Sequence, residues 1–317
     1  MHDRDDSLRR GMQRVTFRYI DVVEGHYFGR LYPSLRPEPS SPAAQDVEVC
    51  DQALADDWCP EPVQLAHAAA QLHMRSAQDH LFGAGVILGS NAESSLITVA
   101  RGATESAARA AWLLQAEDCR HRVARCMTER LAGLHREKMS SIRLGRELDT
   151  ADRARAIEES ALRHGFPVNT RHGKKFVGTE PYPGATRAIE LLFQHLGDGW
   201  GFRAYTDMSA VAHSTLVAFA QKQSSLVVER DWATGHIGEK VPAPPLESFV
   251  VVALIAFDCA FRSFLVLYGW NPHPWDIFVR QSHAAIRELF GAPLSPVDIA
   301  RVQNWWSRDW VTEASLI

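Results

Sequence analysis

The sequence predicts an all-α protein, a multi-helix bundle with a loop-rich N-terminal segment and a long internal loop. Three observations indicate this class. Apolar residues recur at helical spacing over most of the chain, helix start and stop signals flank these stretches, and no alternation of strands with helices suggests a parallel sheet. We therefore expect residues 1–60 to form an N-terminal extension, partly loop, and residues 61–317 to form a single helical bundle domain.

Local sequence signals predict the helices and loops along the chain. Residues 1–31 hold apolar side chains without a clear period, and the Pro and Ser of residues 32–45 predict a loop. Ser90-Asn91-Ala92-Glu93 matches a capping box and predicts the start of a helix. Helices are expected over 62–88, from this capping box to about 114, over 117–148 with a break near 133, and over 151–164, 186–196, 203–222, 246–268, 275–290 and from 295 onward. A long loop should cover 165–185, and 226–245 should hold a short hairpin.

Composition excludes several classes of protein. The chain has 317 residues, of which 46% are apolar and 23% charged, and its formal net charge is −4. These values exclude wholesale disorder and a globally basic nucleic-acid-binding protein, so any contact with phosphates would be local. Five scattered cysteines without a CxxC pair predict free thiols and a cytoplasmic protein.

No cofactor, metal or membrane is predicted. The apolar stretch 248–270 carries Asp258 and Arg262 near its middle, so we expect a buried helix rather than a membrane span. His67, His73 and His80 share one predicted helix, but successive members are about 9–10 Å apart along its axis, too far to share a metal ion.

Three polar stripes on otherwise apolar helices form the first candidate site. Within each stripe the residues are four apart and share a helix face; the stripes are Arg101, Glu105 and Arg109, then Tyr205, Ser209 and His213, then Asp258 and Arg262. Because buried charges need partners, we expect all eight residues to converge.

Convergence has two interpretations. The first is an ionic network that determines how the helices pack. The second is a pocket for an anionic or polar ligand, with His213 as acid or base. In that pocket the catalytic candidates are His213, Arg101, Glu105 and Tyr205, and the ligand-binding candidates are Arg109, Ser209, Asp258 and Arg262.

The segment Arg171-His172-Gly173-Lys174-Lys175 is the one local basic cluster. It is either a solvated loop or an anion-binding loop, in which Arg171, His172, Lys174 and Lys175 surround a phosphate. The C-terminal predicted helix carries Trp305, Trp306 and Trp310. Clustered tryptophans are common at interfaces, so this helix caps the bundle or forms a homodimer face.

Parts of the chain resemble a known family. The segments TVARGATESAARAAWLL, CRHRVAR and AYTDMSAVAHS resemble uncharacterised all-helical proteins of actinobacteria, in which an Arg-x-x-x-Glu helix precedes a Tyr-x-x-x-Ser-x-x-x-His helix. That family is distantly similar to abortive-infection and HEPN-type domains, some of which are ribonucleases. HEPN ribonucleases use an Arg followed after four to six residues by a His, and this chain has three such pairs, Arg75/His80, Arg130/His135 and Arg230/His236.

Three functional hypotheses follow. The resemblance implies a HEPN-like protein that cleaves RNA without metal, or an inactive, nucleic-acid-associated relative with a role in defence. The polar stripes favour a small-molecule enzyme or binding protein with an internal Arg/Glu/Tyr/His pocket. The third hypothesis is an interaction protein without chemistry. The expected partners are RNA or an anionic small molecule, with a second copy of the chain as a further candidate.

Overall fold

The computed structural model describes residues 2–28, 36–90, 92–144, 149–197, 199–212, 226–230, 237–242 and 246–292. Over these ranges the protein is all-α with two small antiparallel hairpins, which confirms the predicted fold class. The helices are α1 (His2–Val23), α2 (Pro42–Asp46), α3 (Gln52–Leu54), α4 (Pro62–Leu88), α5 (Glu93–Leu114), α6 (Cys119–Arg143), α7 (Thr150–Arg163), α8 (Ala185–Phe193), α9 (Trp200–Ala212), α10 (Glu247–Tyr268) and α11 (His273–Leu289). The strands are β1 (Val168–Arg171), β2 (Lys174–Val177), β3 (Leu226–Arg230) and β4 (Ile237–Pro242). π-helical turns cover Glu24–Phe28 and Val47–Asp51, and a 3-10 turn covers Gln194–Leu196.

Helix α5 lies at the centre of the main core. It packs against α4, α10, α8 and α9. Its buried face is built from alanines, and Ala100, Ala103 and Ala107 are fully buried. Small side chains let neighbouring helices approach closely and still fill the space between them. The polar stripe of α5 is thereby held rigidly beside α9.

Helix α10 is a second core helix. It packs against α5, α4 and α1. This packing buries a helix whose side chains are apolar on nearly all sides. It is the one helix among the described residues that is long and apolar enough to cross a membrane. Within the fold, however, 61% of its most apolar 18-residue stretch is buried against protein.

The N-terminal segment is more regular than its composition predicts. Helix α1 covers 22 residues and packs against α4, α11 and α10. Met12, Val15 and Tyr19 are fully buried, and the Tyr19 ring packs edge-on against Phe278 with centroids 4.9 Å apart. The spacing of three and four between these residues is helical, but the many charges between them obscure the period.

A second, smaller core joins α6, α7 and the β1–β2 hairpin. Val123, Met127 and Ile157 are buried there together with Val177 of β2. The hydroxyl of Thr128 on α6 donates to the Val177 carbonyl at 3.1 Å and accepts from the Val177 N–H at 2.9 Å. These two bonds attach the hairpin to α6 at its buried end.

Two predicted helix boundaries are corrected. The hydroxyl of Ser90 donates to the Ile87 carbonyl (2.9 Å) and accepts from the Ala92 N–H (3.2 Å), so it closes the end of α4. The residue before α5 is Ala92, which makes no side-chain cap, so Ser90 is not the N-cap of α5 as predicted. Helix α6 runs unbroken through Gly133, because a single glycine costs only about 1 kcal/mol in a helix that is packed on one side.

Two of the cysteines are bonded. Cys50 and Cys119 form a disulfide between residues 69 apart in the chain, while Cys59, Cys126 and Cys259 are free. The prediction of five free thiols is therefore wrong for this pair. Cysteines so far apart in sequence give no sign of pairing, since only packing of the Val47–Asp51 turn against the start of α6 brings them together. A cytoplasmic location stays a prediction.

Candidate functional site

The first two polar stripes meet between α5 and α9. Arg101 Nε donates to Glu105 Oε1 at 2.7 Å, and its Nη2 donates to the Tyr205 hydroxyl at 2.9 Å. The same hydroxyl donates to Glu105 Oε1 at 3.0 Å, and Arg109 Nη2 lies 3.6 Å from Glu105 Oε2. We call Arg101, Glu105 and Tyr205 the α5–α9 triad. Burial, followed by the Glu105 charge, raises the pKa of Tyr205, so its hydroxyl stays protonated at neutral pH.

The third stripe forms a separate group. Arg262 Nε lies 2.9 Å from Asp258 Oδ1, which also accepts from the Trp275 indole N–H at 2.7 Å. Arg262 Nη1 donates to Asp276 on α11. Asp258 and Arg262 are thus both bonded to α11, and the predicted convergence of all eight residues does not occur. The reason is geometric: Asp258 and Arg262 lie on the α11-facing side of α10.

Two members of the second stripe remain, Ser209 and His213. Ser209 lies one turn beyond Tyr205 on α9 and is half-buried. His213 lies outside the described residues, as do Trp305, Trp306 and Trp310.

The predicted basic loop is a hairpin rather than an irregular loop. β1 and β2 pair antiparallel, with Arg171 opposite Lys174. His172 and Gly173 between them have φ of 51° and 73°, as a two-residue type I′ turn requires. The strands are too short and too polar for the sequence to have indicated them. The turn projects its basic side chains into solvent, and all of them are exposed.

A groove with a volume of about 820 Å³ lies between this hairpin, α6, α5 and α8. We call it the basic groove, because the described residues that line it include seven Arg or Lys side chains and one carboxylate, Glu180. The basic residues are Arg109, Arg125, Arg136, Arg171, Lys174, Lys175 and Arg187, with His135 and His172 beside them. Arg109 therefore connects the groove to the α5–α9 triad.

Some of the groove cations are held in ion pairs. Arg125 contacts Glu180 Oε2 through Nη2 at 2.8 Å and Nε at 3.0 Å, and its Nη1 donates to the Trp112 carbonyl. Lys175 Nζ lies 2.7 Å from both carboxylate oxygens of Glu158. Within the described part of the chain, no carboxylate pairs with Arg136, Arg171 or Lys174. Their charges are therefore not offset by a neighbouring carboxylate and can act on a ligand.

Aromatic rings support the arginines. The Arg125 guanidinium lies 5.5 Å from the Trp112 ring centroid, and that of Arg136 lies 5.6 Å from the Tyr182 centroid, both within cation–π range. Tyr182 packs edge-on against Trp112, with centroids 5.6 Å apart. Burial raises the pKa of its hydroxyl, and the nearby Arg109 and Arg136 guanidinium groups oppose this shift. The rings orient the guanidinium groups toward the groove.

Sequence reasoning found the basic segment Arg171–Lys175 and Arg109 but missed the floor of the groove. Arg125, Ala132 and Arg136 are seven and four residues apart, so they form one stripe on α6. This spacing was available in the sequence. What the sequence does not show is that the α6 stripe faces the hairpin, which is a consequence of how β2 docks on α6.

Of the Arg–His pairs expected from HEPN ribonucleases, Arg130 and His135 do not form a common site. Arg130 lines a different cavity from His135, because five residues along a helix turn a side chain well away from its partner. Arg75 pairs with Glu24 and with Asp79 of its own helix. His236 lies outside the described residues.

Among the described residues, no group of three or more His, Cys, Asp or Glu side chains is placed to hold a metal ion. His73 instead forms a half-buried pair with Glu129, with Nε2 2.5 Å from Oε1.

The chain matches no protein-family model, and no curated protein and no solved structure shows significant similarity to it.

Proposed function

We propose that this protein binds RNA through its phosphates in the basic groove. The observation that carries the proposal is the lining of the groove, with seven Arg or Lys side chains against one carboxylate in a protein whose net charge is −4. Arginine forks bind phosphate oxygens in bidentate fashion, and a cavity with low-dielectric walls focuses the field of its charges. The resemblance to HEPN-type domains supports RNA as the source of the phosphates.

The cavity that Arg153 lines lacks this bias. The cavity lined by Asp57, Arg130, Glu137 and Arg153 holds equal numbers of both signs. Its Arg153 pairs with Glu137 at 3.2 Å. The excess of positive charge in the basic groove is thus not a general property of the exposed surface.

The proposal is binding rather than cleavage. Arg130 and His135 line different cavities, and the α5–α9 triad is hydrogen-bonded within itself. The triad lines neither the basic groove nor the cavity around Arg153. These observations favour the nucleic-acid-associated, non-cleaving form of the HEPN-like hypothesis and a structural role for the triad.

The test is fluorescence anisotropy with a labelled single-stranded RNA over a series of salt concentrations. The triple variant Arg136→Ala, Arg171→Ala and Lys174→Ala should bind more weakly. The slope of log K against log salt should fall by about 2, because each phosphate contact to a single strand contributes about 0.7. Arg153→Ala is the matched control and should behave as wild type. Equal slopes for triple variant and wild type, or no binding by wild type, would refute the proposal.

A small anionic molecule is the second candidate, and the size of the groove favours it. About 820 Å³ lies within the range of cavities that hold small ligands. Thermal unfolding in the presence of nucleoside phosphates and inorganic phosphate tests this candidate, because a ligand that binds only the folded state raises the melting temperature. A rise that the triple variant lacks, without RNA binding, would select this function.

A further inference from the structure

The basic groove does not end at the hairpin. A second cavity, with a volume of about 380 Å³, shares two lining residues with it, His135 and Lys175. Helix α6 forms part of both cavities, and the second is closed on its other side by α7. The two cavities therefore adjoin at these two shared residues.

The second cavity is also basic. Lys138 and Arg155 line it together with the shared Lys175. Its one carboxylate among the described residues is Glu158, whose two oxygens both lie 2.7 Å from Lys175 Nζ. Arg155 pairs with Asp152 of its own helix, and both side chains are about two-thirds exposed, so solvent weakens that pair.

The length of this path sets the size of the ligand. Arg125 and Lys138 are 13 residues apart on α6, which corresponds to about 20 Å along the helix axis. Phosphates of a stacked strand follow one another every 3.4 Å or so, so about six nucleotides match this distance. A mononucleotide would contact only one end of the path.

We infer that the ligand is a single strand of about six nucleotides that crosses both cavities, from Arg125 to Lys138. This inference rests on the proposed RNA binding and adds to it the length and form of the ligand. A single strand bends and splays its bases, so its phosphates enter adjoining cavities, whereas a duplex holds its phosphates on a rigid cylinder.

The experiment measures the affinity of oligouridylates of two, four, six and ten nucleotides, and of a ten-base-pair RNA duplex, by anisotropy competition. Affinity should rise up to about six nucleotides and then level off. The double variant Lys138→Ala and Arg155→Ala should lose affinity for the longer oligomers, with its salt slope reduced by about 1.4, and bind the dinucleotide as wild type does. Arg153→Ala lies on the same helix as Arg155 but lines the charge-balanced cavity, so it is the control.

The outcomes separate the two proposals. If the dinucleotide binds and longer oligomers gain nothing, or if the double variant binds every length as wild type does, the extended path is refuted while binding in the basic groove stands. Tighter binding of the duplex than of the six-nucleotide strand also refutes the single-strand assignment. If no RNA of any length binds, the proposed function fails and this inference fails with it.

Discussion

Replacing Arg101 with alanine tests whether the α5–α9 triad holds the fold together. The change removes the charge-assisted bond to Glu105 and the bond to the Tyr205 hydroxyl, at 2.7 and 2.9 Å. A hydrogen bond to a charged group contributes about 1.5–3 kcal/mol, and breaking a fully buried ion pair costs about 3–5 kcal/mol. The side chains of Arg101 and Glu105 are each 19% exposed, and Arg109 still faces Glu105, so we expect a loss of about 2–3 kcal/mol.

The assay is urea unfolding followed by circular dichroism, with Tyr205→Phe for comparison. That variant keeps the ring and loses only the hydroxyl, so it should cost about 1 kcal/mol. The double variant should lose less than the sum of the two single losses, because both side chains act on Glu105. If Arg101→Ala were as stable as wild type, or more stable, a structural role would be refuted. The triad would then be held at the expense of stability, as binding and catalytic groups often are.

Three further predictions concern other parts of the molecule. Cys119→Ser should lower the free energy of unfolding by about 4 kcal/mol, because the Cys50–Cys119 disulfide joins residues 69 apart; identical urea midpoints with and without reductant in wild type would contradict this. Glu180→Gln should raise RNA affinity about two- to fivefold, because it frees the Arg125 fork and removes the one carboxylate of the groove, and weaker binding in anisotropy would argue against it. Burial, with a smaller contribution from a nearby arginine, lowers the pKa of His67 to about 4. The unfolded chain therefore binds a proton between about pH 6.5 and 4 that the folded protein does not, and wild type loses about 3 kcal/mol over that interval. His67→Leu should lack this part of the loss in pH-dependent unfolding, and parallel pH profiles would contradict the assignment.

The sequence predicted the contacts within helices better than those between them. Arg101, Glu105 and Arg109 were placed on one face of α5 from their spacing alone, and the structure pairs them as neighbours. Their meeting with Tyr205 was expected because a buried charge requires a partner. The same requirement did not say which partner, and Asp258 therefore pairs with Arg262 and Trp275 rather than with the triad.

What the sequence by itself determined is the local structure of the chain: an all-α fold, the extent of most helices, the β3–β4 hairpin and the position of the basic segment. Helical periodicity and turn residues are signals that extend over only a few neighbouring residues, so they can be recognised without tertiary information. Only the tertiary structure decided that the segment Arg171–Lys175 is a hairpin docked on α6, and that Arg125 and Arg136 face it across a groove. Charges distant along the chain combine into one field only when packing brings them together, and that packing depends on the shapes of many side chains at once.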